Sequence, residues 1–361
     1  MTQGVPARSS ARASAQASAR SPVPPDVSAV VLAFGPEPLL EACVRALLGS
    51  AGARVEVVVV DNGCTSDAVE RLRGTAGVRV VSPATNTGFA GGCNLGARHG
   101  TGEVMVLVNS DAVVEPSAVA RLAAVLREDG VGIASGSLRL RERPELMNSA
   151  GNPVHFLGLS WAGGLGEPAS AYDERRRVAS ATGAVMALRR ETWDALGGFF
   201  EPMFAYCEDL ELSLRCWQRG WSVEFVPDAV ALHAYEFHRN PHKLYLLERN
   251  RLLVLLTLYE ARTLTLIAVP LVALEVAVLA VALRQGWWRQ KVRGWWWLAT
   301  HAATLRRRRA EVQAARTRPD RDLAPLLTGT FSPGEQTGFS APVLLSVASV
   351  AYWRVARRGI R

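Results

Sequence analysis

Short apolar runs alternate with segments of helical spacing through the first 130 residues. Val27 to Leu32, Val55 to Val60, Val78 to Val81 and Val104 to Val108 are apolar at most positions. That is the pattern of strands buried on both faces. Between them, Pro38 to Leu48, Asp67 to Arg73 and Pro116 to Glu128 carry helical spacing and stop at Gly49, Gly74 and Gly130. The alternation predicts a mostly parallel sheet with helices on both faces. In such sheets ligands bind beyond the carboxyl ends of the strands. Residues 131–180 read as irregular, with scattered Gly and Pro. The pattern then resumes: a strand over Ala184 to Leu188, helices over Glu191 to Leu196 and Leu210 to Arg219, and strands over Ser222 to Val226 and Ala229 to Leu232, leading to His233. Leu210, Leu214 and Trp217 fall at i, i+4 and i+7, the expected buried face of their helix.

After residue 241 the character changes. Thr263 to Leu283 is a run of 21 residues without Lys or Arg, and about 20 suffice to cross a bilayer. Two features oppose a simple span. Glu275 near its centre would cost roughly 2.5–3.5 kcal/mol on insertion. Basic residues also flank both ends, Arg249, Arg251 and Arg262 before and Arg284 onward after, against the tendency to keep positive charge on one side. The last apolar stretch, Ala341 to Trp353, is short for a return span. The expectation is helices lying in the cytoplasmic leaflet or re-entering from it. Trp287, Trp288, Trp295, Trp296 and Trp297 would sit at head-group level and Arg306 to Arg309 on anionic phospholipid. The alternative is a helical subdomain or dimer interface buried against protein.

Charge and composition sharpen this. The formal net charge is +8, yet Arg284 to Arg318 alone holds ten Lys/Arg against one acid, Glu311, so the rest is close to neutral. The basic run adjoins a greasy helix and lacks a nucleic-acid motif, which favours an anionic membrane surface and excludes nucleic acid as partner. Five scattered cysteines without a CxxC pair read as reduced thiols. Residues 1–26, rich in Ala, Ser, Arg and Pro, lack the apolar core of a secretory signal and read as a disordered tail. The expected division is 1–26 tail, 27–240 catalytic domain and 241–361 helical, membrane-associated region.

Four segments could carry chemistry. Asn109-Ser110-Asp111 ends a buried strand, where a carboxylate can hold a divalent cation against a diphosphate; Asn and Asp are also ordinary turn residues. Asp61-Asn62-Gly63 is a turn, or a carboxylate for a nucleotide base or ribose. Asn86 to Gly96 is glycine-rich enough for a backbone to approach a ligand. It is neither GxGxxG nor a Walker loop, so dinucleotide and ATP readings lose support. In Tyr206 to Leu212, Glu208 and Asp209 lie in a helix's first turn. There acids are stabilising whatever their role, and the helix dipole is expected to keep a general base ionised.

In this order these segments, with Thr182-Gly183-Ala184-Val185-Met186 and Gly197-Gly198-Phe199-Phe200-Glu201-Pro202-Met203-Phe204-Ala205, resemble glycosyltransferase family 2. These are inverting enzymes of the GT-A fold, and the likeness, over roughly residues 27–240, is to the rhamnosyltransferase-like branch. The resemblance implies a nucleotide-sugar donor and a glycan or lipid-linked acceptor. It implies that Asp61 binds the nucleotide with Phe34 near the base. Asn86, Gly88, Asn94 and Asn109 would line the donor site. Asp111 would hold Mg²⁺ or Mn²⁺ on the diphosphate, with His233 as a further ligand. Asp209 would be the base and Glu208 would orient the acceptor. The family's usual Thr-Tyr-Asn is Ala33-Phe34-Gly35 here, which removes a hydroxyl and an amide, and Asn109 stands where the metal motif usually begins with Asp. The Gln-x-x-Arg-Trp signature of processive synthases is absent, so transfer of one or a few sugars is expected. L-rhamnose from dTDP-rhamnose is the donor that this branch implies. Two rival readings stand beside it: a membrane-associated protein that kept the fold and lost turnover, and a nucleotidyltransferase. Ala33 to Leu40 offers no Lys or Arg for the latter.

Overall fold

The structure, a computed structural model, describes Met1 and residues 26–234, 241–331 and 343–360. The expected N-terminal tail lies almost wholly outside the described residues.

The expected alternation is present. β1 (Val27–Gly35), α1 (Leu40–Leu48), β2 (Val55–Cys64), α2 (Ala68–Leu72), β3 (Val78–Val81), α3 (Gly88–His99) and β4 (Val104–Asn109) follow one another, then β5 (Ala112–Val114) and α4 (Ala118–Val125). β1 pairs in parallel with both β2 and β4, and β2 with β3. The glycines of α3 serve packing. A Cβ on Gly92 would lie 2.2 Å from Leu32 Cδ1, and one on Gly96 would lie 2.3 Å from Val30 Cγ1, so only glycine lets this helix sit so close to the sheet.

Residues 131–180 correct the expectation of irregular structure. They hold β6 (Val131–Leu140), β7 (Arg143–Ser149), β8 (Val154–His155) and β9 (Arg176–Arg177). β6 lies inside the sheet, between β10 (Val185–Arg189) and β11 (Ser222–His233). Its sequence, VGIASGSLRL, is small and partly polar, which hid it from a hydrophobicity pattern. The reason is close packing: a Cβ on Gly136 would lie 2.7 Å from Val185 Cγ1. The sheet order is β3-β2-β1-β4-β10-β6-β11-β5, with β10 antiparallel to both neighbours. The two strands expected over 222–232 are one, with a register shift between Val226 and Val230.

Between β10 and β11 lie α5 (Arg190–Leu196) and α6 (Glu208–Gln218). α6 is not amphipathic in the expected one-sided way. Leu212 and Cys216 join the core beneath the sheet, whereas Leu210 and Leu214 join a second core with the C-terminal helices. Its one buried ion pair, Glu211 with Arg215, is shared by Arg308, whose guanidinium lies 2.7 Å from Glu211.

The C-terminal helices are α7 (Pro241–Leu258), α8 (Ala261–Gln285), α9 (Trp288–Thr300), α10 (Ala302–Ala315), α11 (Asp320–Leu323) and, after the two-residue β12 (Leu327–Thr328), α12 (Val343–Ala356). They explain the charges that argued against a membrane helix. Glu275 on α8 faces protein: it pairs with Arg251 of α7, lies 2.8 Å from Lys291 Nζ of α9, and accepts a 2.6 Å hydrogen bond from Trp295 Nε1. Glu248 completes the box with Arg251 and Lys291. Losing one member of such a buried set costs roughly 3–5 kcal/mol, because the others keep their charge without its partner. Arg249 and Arg251 are buried and are therefore not the free flanking charges expected from sequence. Arg308, Arg309 and Arg316 likewise bond protein groups.

Candidate active site

The candidate residues collect at the carboxyl edge of the parallel strands, and backbone hydrogen bonds stitch them together. The Asn109 N–H donates to the Ala184 carbonyl at 2.9 Å. One residue earlier, the Gly183 N–H donates to Asp209 Oδ2 at 2.9 Å. The antiparallel entry of β10 beside β4 thus ties the first turn of α6 to the Asn109-Ser110-Asp111 turn. Asn62, named in the sequence only as part of its turn, is the hub on the other side. Its buried amide donates to Asn86 Oδ1 at 2.9 Å and accepts from the Thr87 N–H at 2.9 Å. Asn86 Oδ1 also accepts from the Gly88 N–H at 2.8 Å. Asp61 Oδ1 accepts from the Cys64 N–H at 3.0 Å, which fixes its turn and leaves the carboxylate partly exposed.

Phe34 is 60% exposed at the end of β1, with its ring beside Gly63. An exposed aromatic face next to a carboxylate suits a nucleotide base. Gly88 is buried: a Cβ there would lie 2.3 Å from the Phe204 carbonyl oxygen. Asn94 is a clamp. Its Nδ2 donates to the Phe199 carbonyl at 2.9 Å and to Glu201 Oε1 at 3.1 Å, and its Oδ1 accepts from the Phe199 N–H at 2.9 Å. Its amide is thus engaged by the 199–201 segment.

Glu208 and Asp209 differ from the expectation in their electrostatics. Burial pushes both carboxyls up, Glu208 well above its usual range, with the adjacent Asp209 charge a second cause. Desolvation opposes the helix dipole that was expected to keep the base ionised. The two are nonetheless separated. Asp209 accepts N–H bonds from Gly183 and, at 2.7 Å, from Leu210, which favour its ionised form. Glu208 Oε2 is buried without a hydrogen-bond partner. Neighbouring carboxyls whose environments differ in this way take different protonation states.

Asp111 and His233 stand together although far apart in sequence, because β11 pairs with β5 and sets His233 opposite Ala112. His233 Nε2 lies 3.1 Å from Asp111 Oδ1, and its Nδ1 lies 2.9 Å from Asn148 Oδ1. With Nδ1–H toward Asn148, Nε2 and the Asp111 carboxylate would present one nitrogen and one oxygen donor to a divalent cation, so the residue types fit such a metal. Among the described residues no group of three or more His, Cys, Asp or Glu is placed to hold one. Two protein donors plus diphosphate oxygens and water is the usual arrangement for Mg²⁺ on a nucleotide. Asn148 lay in the stretch read as irregular, so no sequence signal pointed to it.

A mixed sheet with this strand order, opening at its carboxyl edge onto an acidic helix terminus and an Asp–His pair, defines a GT-A-type transferase. The family described as "Glycosyltransferase like family 2" matches residues 24–252, well over half of the chain, and the chain belongs to it. "N-acetylglucosaminyl-diphospho-decaprenol L-rhamnosyltransferase" of Mycobacterium tuberculosis is 28% identical over 243 residues, covering 59% of this chain and 78% of that protein. "Uncharacterized protein y4gI" of Sinorhizobium fredii is 27% identical over 209 residues; the match takes in 54% of this chain and only 23% of that longer protein. Among solved structures, GalNAc-T7 with UDP, GalNAc and Mn²⁺ superposes with a TM-score of 0.53 at 18% identity, over 65% of this chain and 48% of that one. At that identity the likeness is one of fold.

Proposed function

We infer that this chain is an inverting glycosyltransferase. It moves a sugar from a nucleotide-sugar donor to a cell-envelope glycan or lipid-linked acceptor, with L-rhamnose from dTDP-rhamnose as the first donor to test. The observation that carries the reading is the pair of carboxyls at the first turn of α6. Asp209 accepts hydrogen bonds from two N–H groups, which favour its ionised form against the upward push of burial, and Glu208 is buried beside it. Asp209 is the base: it takes the proton of the acceptor hydroxyl as that oxygen attacks the anomeric carbon opposite the leaving diphosphate. Glu208, protonated, donates to the acceptor and orients it. Phe34 stacks the base, and Asp61 binds the nucleotide at the turn held by Asn62. Asn86, Gly88 and Asn109 shape the donor cleft, and Asn94 supports it through the 199–201 segment. Asp111 and His233 hold Mg²⁺ or Mn²⁺, which when bound neutralises charge on the diphosphate. The name of the mycobacterial relative, an L-rhamnosyltransferase of N-acetylglucosaminyl-diphospho-decaprenol, supports a donor and acceptor of this class.

The catalytic unit in this reading is residues 27–240, with 241–361 facing an anionic membrane on its cytoplasmic side, where nucleotide sugars are made. α8 has two faces. Ile267, Leu271, Leu274 and Ala282 pack inward, whereas Val269, Val272, Val276 and Leu283 are exposed. α12 packs beside it through Tyr352 and Leu266 and exposes Val343, Leu344 and Val347. Trp288 and Trp296 are exposed, and Arg284, Arg289, Arg293 and Arg357 lie at the surface. An apolar strip beside exposed aromatics and arginines suits an anionic bilayer interface.

The test is a turnover screen of the purified chain with Mg²⁺ or Mn²⁺, using dTDP-rhamnose, UDP-sugars and GDP-mannose, with native membranes as acceptor. Metal-dependent release of one nucleoside diphosphate is expected. Failure to bind any donor would overturn the reading.

A further inference from the structure

We propose that Arg249 and Asn250 of α7 are positioning residues for the catalytic carboxylates, a role that rests on the reading above. The backbone that delivers Glu208 and Asp209 is strained. Phe204, Tyr206 and Cys207 have φ of 66°, 70° and 66°, a region that side chains other than glycine rarely occupy. Strain of this kind persists only where the surroundings hold it.

What holds it is α7. Asn250 is completely buried. Its Nδ2 donates to the carbonyls of Met203 at 2.9 Å, Ala205 at 2.9 Å and Tyr206 at 2.7 Å. Arg249 Nη2 donates to the carbonyls of Pro202 at 2.9 Å and Met203 at 2.7 Å. Arg249 Nε donates to Asn250 Oδ1 at 2.9 Å, which turns the amide so that its Nδ2 faces the loop. Four carbonyls of this loop, those of Pro202, Met203, Ala205 and Tyr206, therefore take side-chain donors from α7, and the Met203 carbonyl also accepts from the Ala205 N–H at 2.8 Å. From the other side, the Ala90 N–H of α3 donates to the Phe204 carbonyl at 3.0 Å, so the loop is gripped between the donor side and α7. The grip is itself anchored. The Arg249 guanidinium lies over the rings of Trp297 and Tyr245, and Arg251, the residue after Asn250, enters the Glu248–Glu275–Lys291 box. In effect the C-terminal helices set the geometry of the base.

The experiment uses the full chain with Asn250→Ala, Asn250→Asp and Arg249→Lys. A misplacement of about 1 Å costs roughly 100-fold in turnover, so Asn250→Ala is expected to lower kcat by about that factor. Donor affinity should stay within about twofold, and the acid limb of the kcat–pH profile should move. Asn250→Asp, which sets an acceptor against three carbonyls, should be at least as damaging, and Arg249→Lys, which keeps a donor and the charge, milder. Hydrogen exchange of the intact proteins gives a readout independent of turnover: amides of 203–210 should lose protection in Asn250→Ala while those of β1 and β4 do not. Wild-type kcat and pH profile in Asn250→Ala, or unchanged exchange over 203–210, would overturn the proposal. If Asn250→Ala fails to fold, the same measurements on Arg249→Lys decide it. If the wild-type chain transfers no sugar, the enzyme reading fails, and the exchange result still decides the clamp.

Discussion

Asp209 accepts a hydrogen bond from the Gly183 backbone across 2.9 Å, joining residues 26 positions apart. Gly183 immediately precedes Ala184, whose carbonyl accepts from the Asn109 N–H. The proposed base and the proposed metal-binding turn therefore share one backbone bridge, and a catalytic pair needs this kind of fixed separation.

Replacing Asp209 by Asn keeps an acceptor for only one of its two N–H donors, since Gly183 bonds Oδ2 and Leu210 bonds Oδ1, and it removes the proton acceptor. Turnover should fall by at least about 100-fold, the lower end of general-base contributions, with donor binding preserved in calorimetry. Near-normal turnover would remove Asp209 as the base.

Asp111→Ala should weaken Mn²⁺-dependent donor binding by roughly tenfold or more. Asn148→Leu, which removes the acceptor at His233 Nδ1, should weaken it within the 10- to 100-fold range of such outer partners. Titration of Mn²⁺ in the presence of nucleoside diphosphate reads both. Unchanged metal dependence in Asp111→Ala would refute the assignment.

Glu208 is pushed well above its ordinary value of 4.5 by burial and by Asp209. The folded state then holds a proton that the unfolded chain releases, so stability falls as pH rises from about 4.5 through the raised value. Glu208→Gln should flatten that slope and raise the denaturation midpoint at neutral pH while lowering turnover. A midpoint that follows the wild-type pH curve would show that Glu208 titrates normally.

Val272→Asp with Val276→Asp places two charges on the outward face of α8. Flotation with vesicles rich in phosphatidylglycerol should lose the variant and retain the wild-type chain, and added salt should weaken wild-type binding. Equal binding of both proteins would discard this face as the membrane contact.

The parallel half of the sheet was legible because strands such as Val57–Val60 are apolar on both faces and end at turns such as Asp61-Asn62-Gly63, a purely local signal. β6 was not legible, since Gly132, Ser135, Gly136 and Ser137 are small to fit neighbours that belong to other segments. The motifs around Asp61, Asp111 and Glu208–Asp209 were visible as residues in order. The burial of Glu208 and Asp209 was not legible, because a helix dipole can be read from position in a helix and desolvation cannot.

By itself, then, the sequence determined the βα alternation, the edge of the sheet where chemistry collects, the family and the greasy, basic character of the last third. These follow from short-range periodicity and from motif order. Only the tertiary structure decided that Asn148 sits on His233, 85 positions away, that Glu275 is a partner of Arg251 and not a charge exposed in lipid, and that Asn250 holds the loop before Glu208. Each is a contact between residues far apart in the chain, where the free energy of a polar group depends on which partner the fold brings to it.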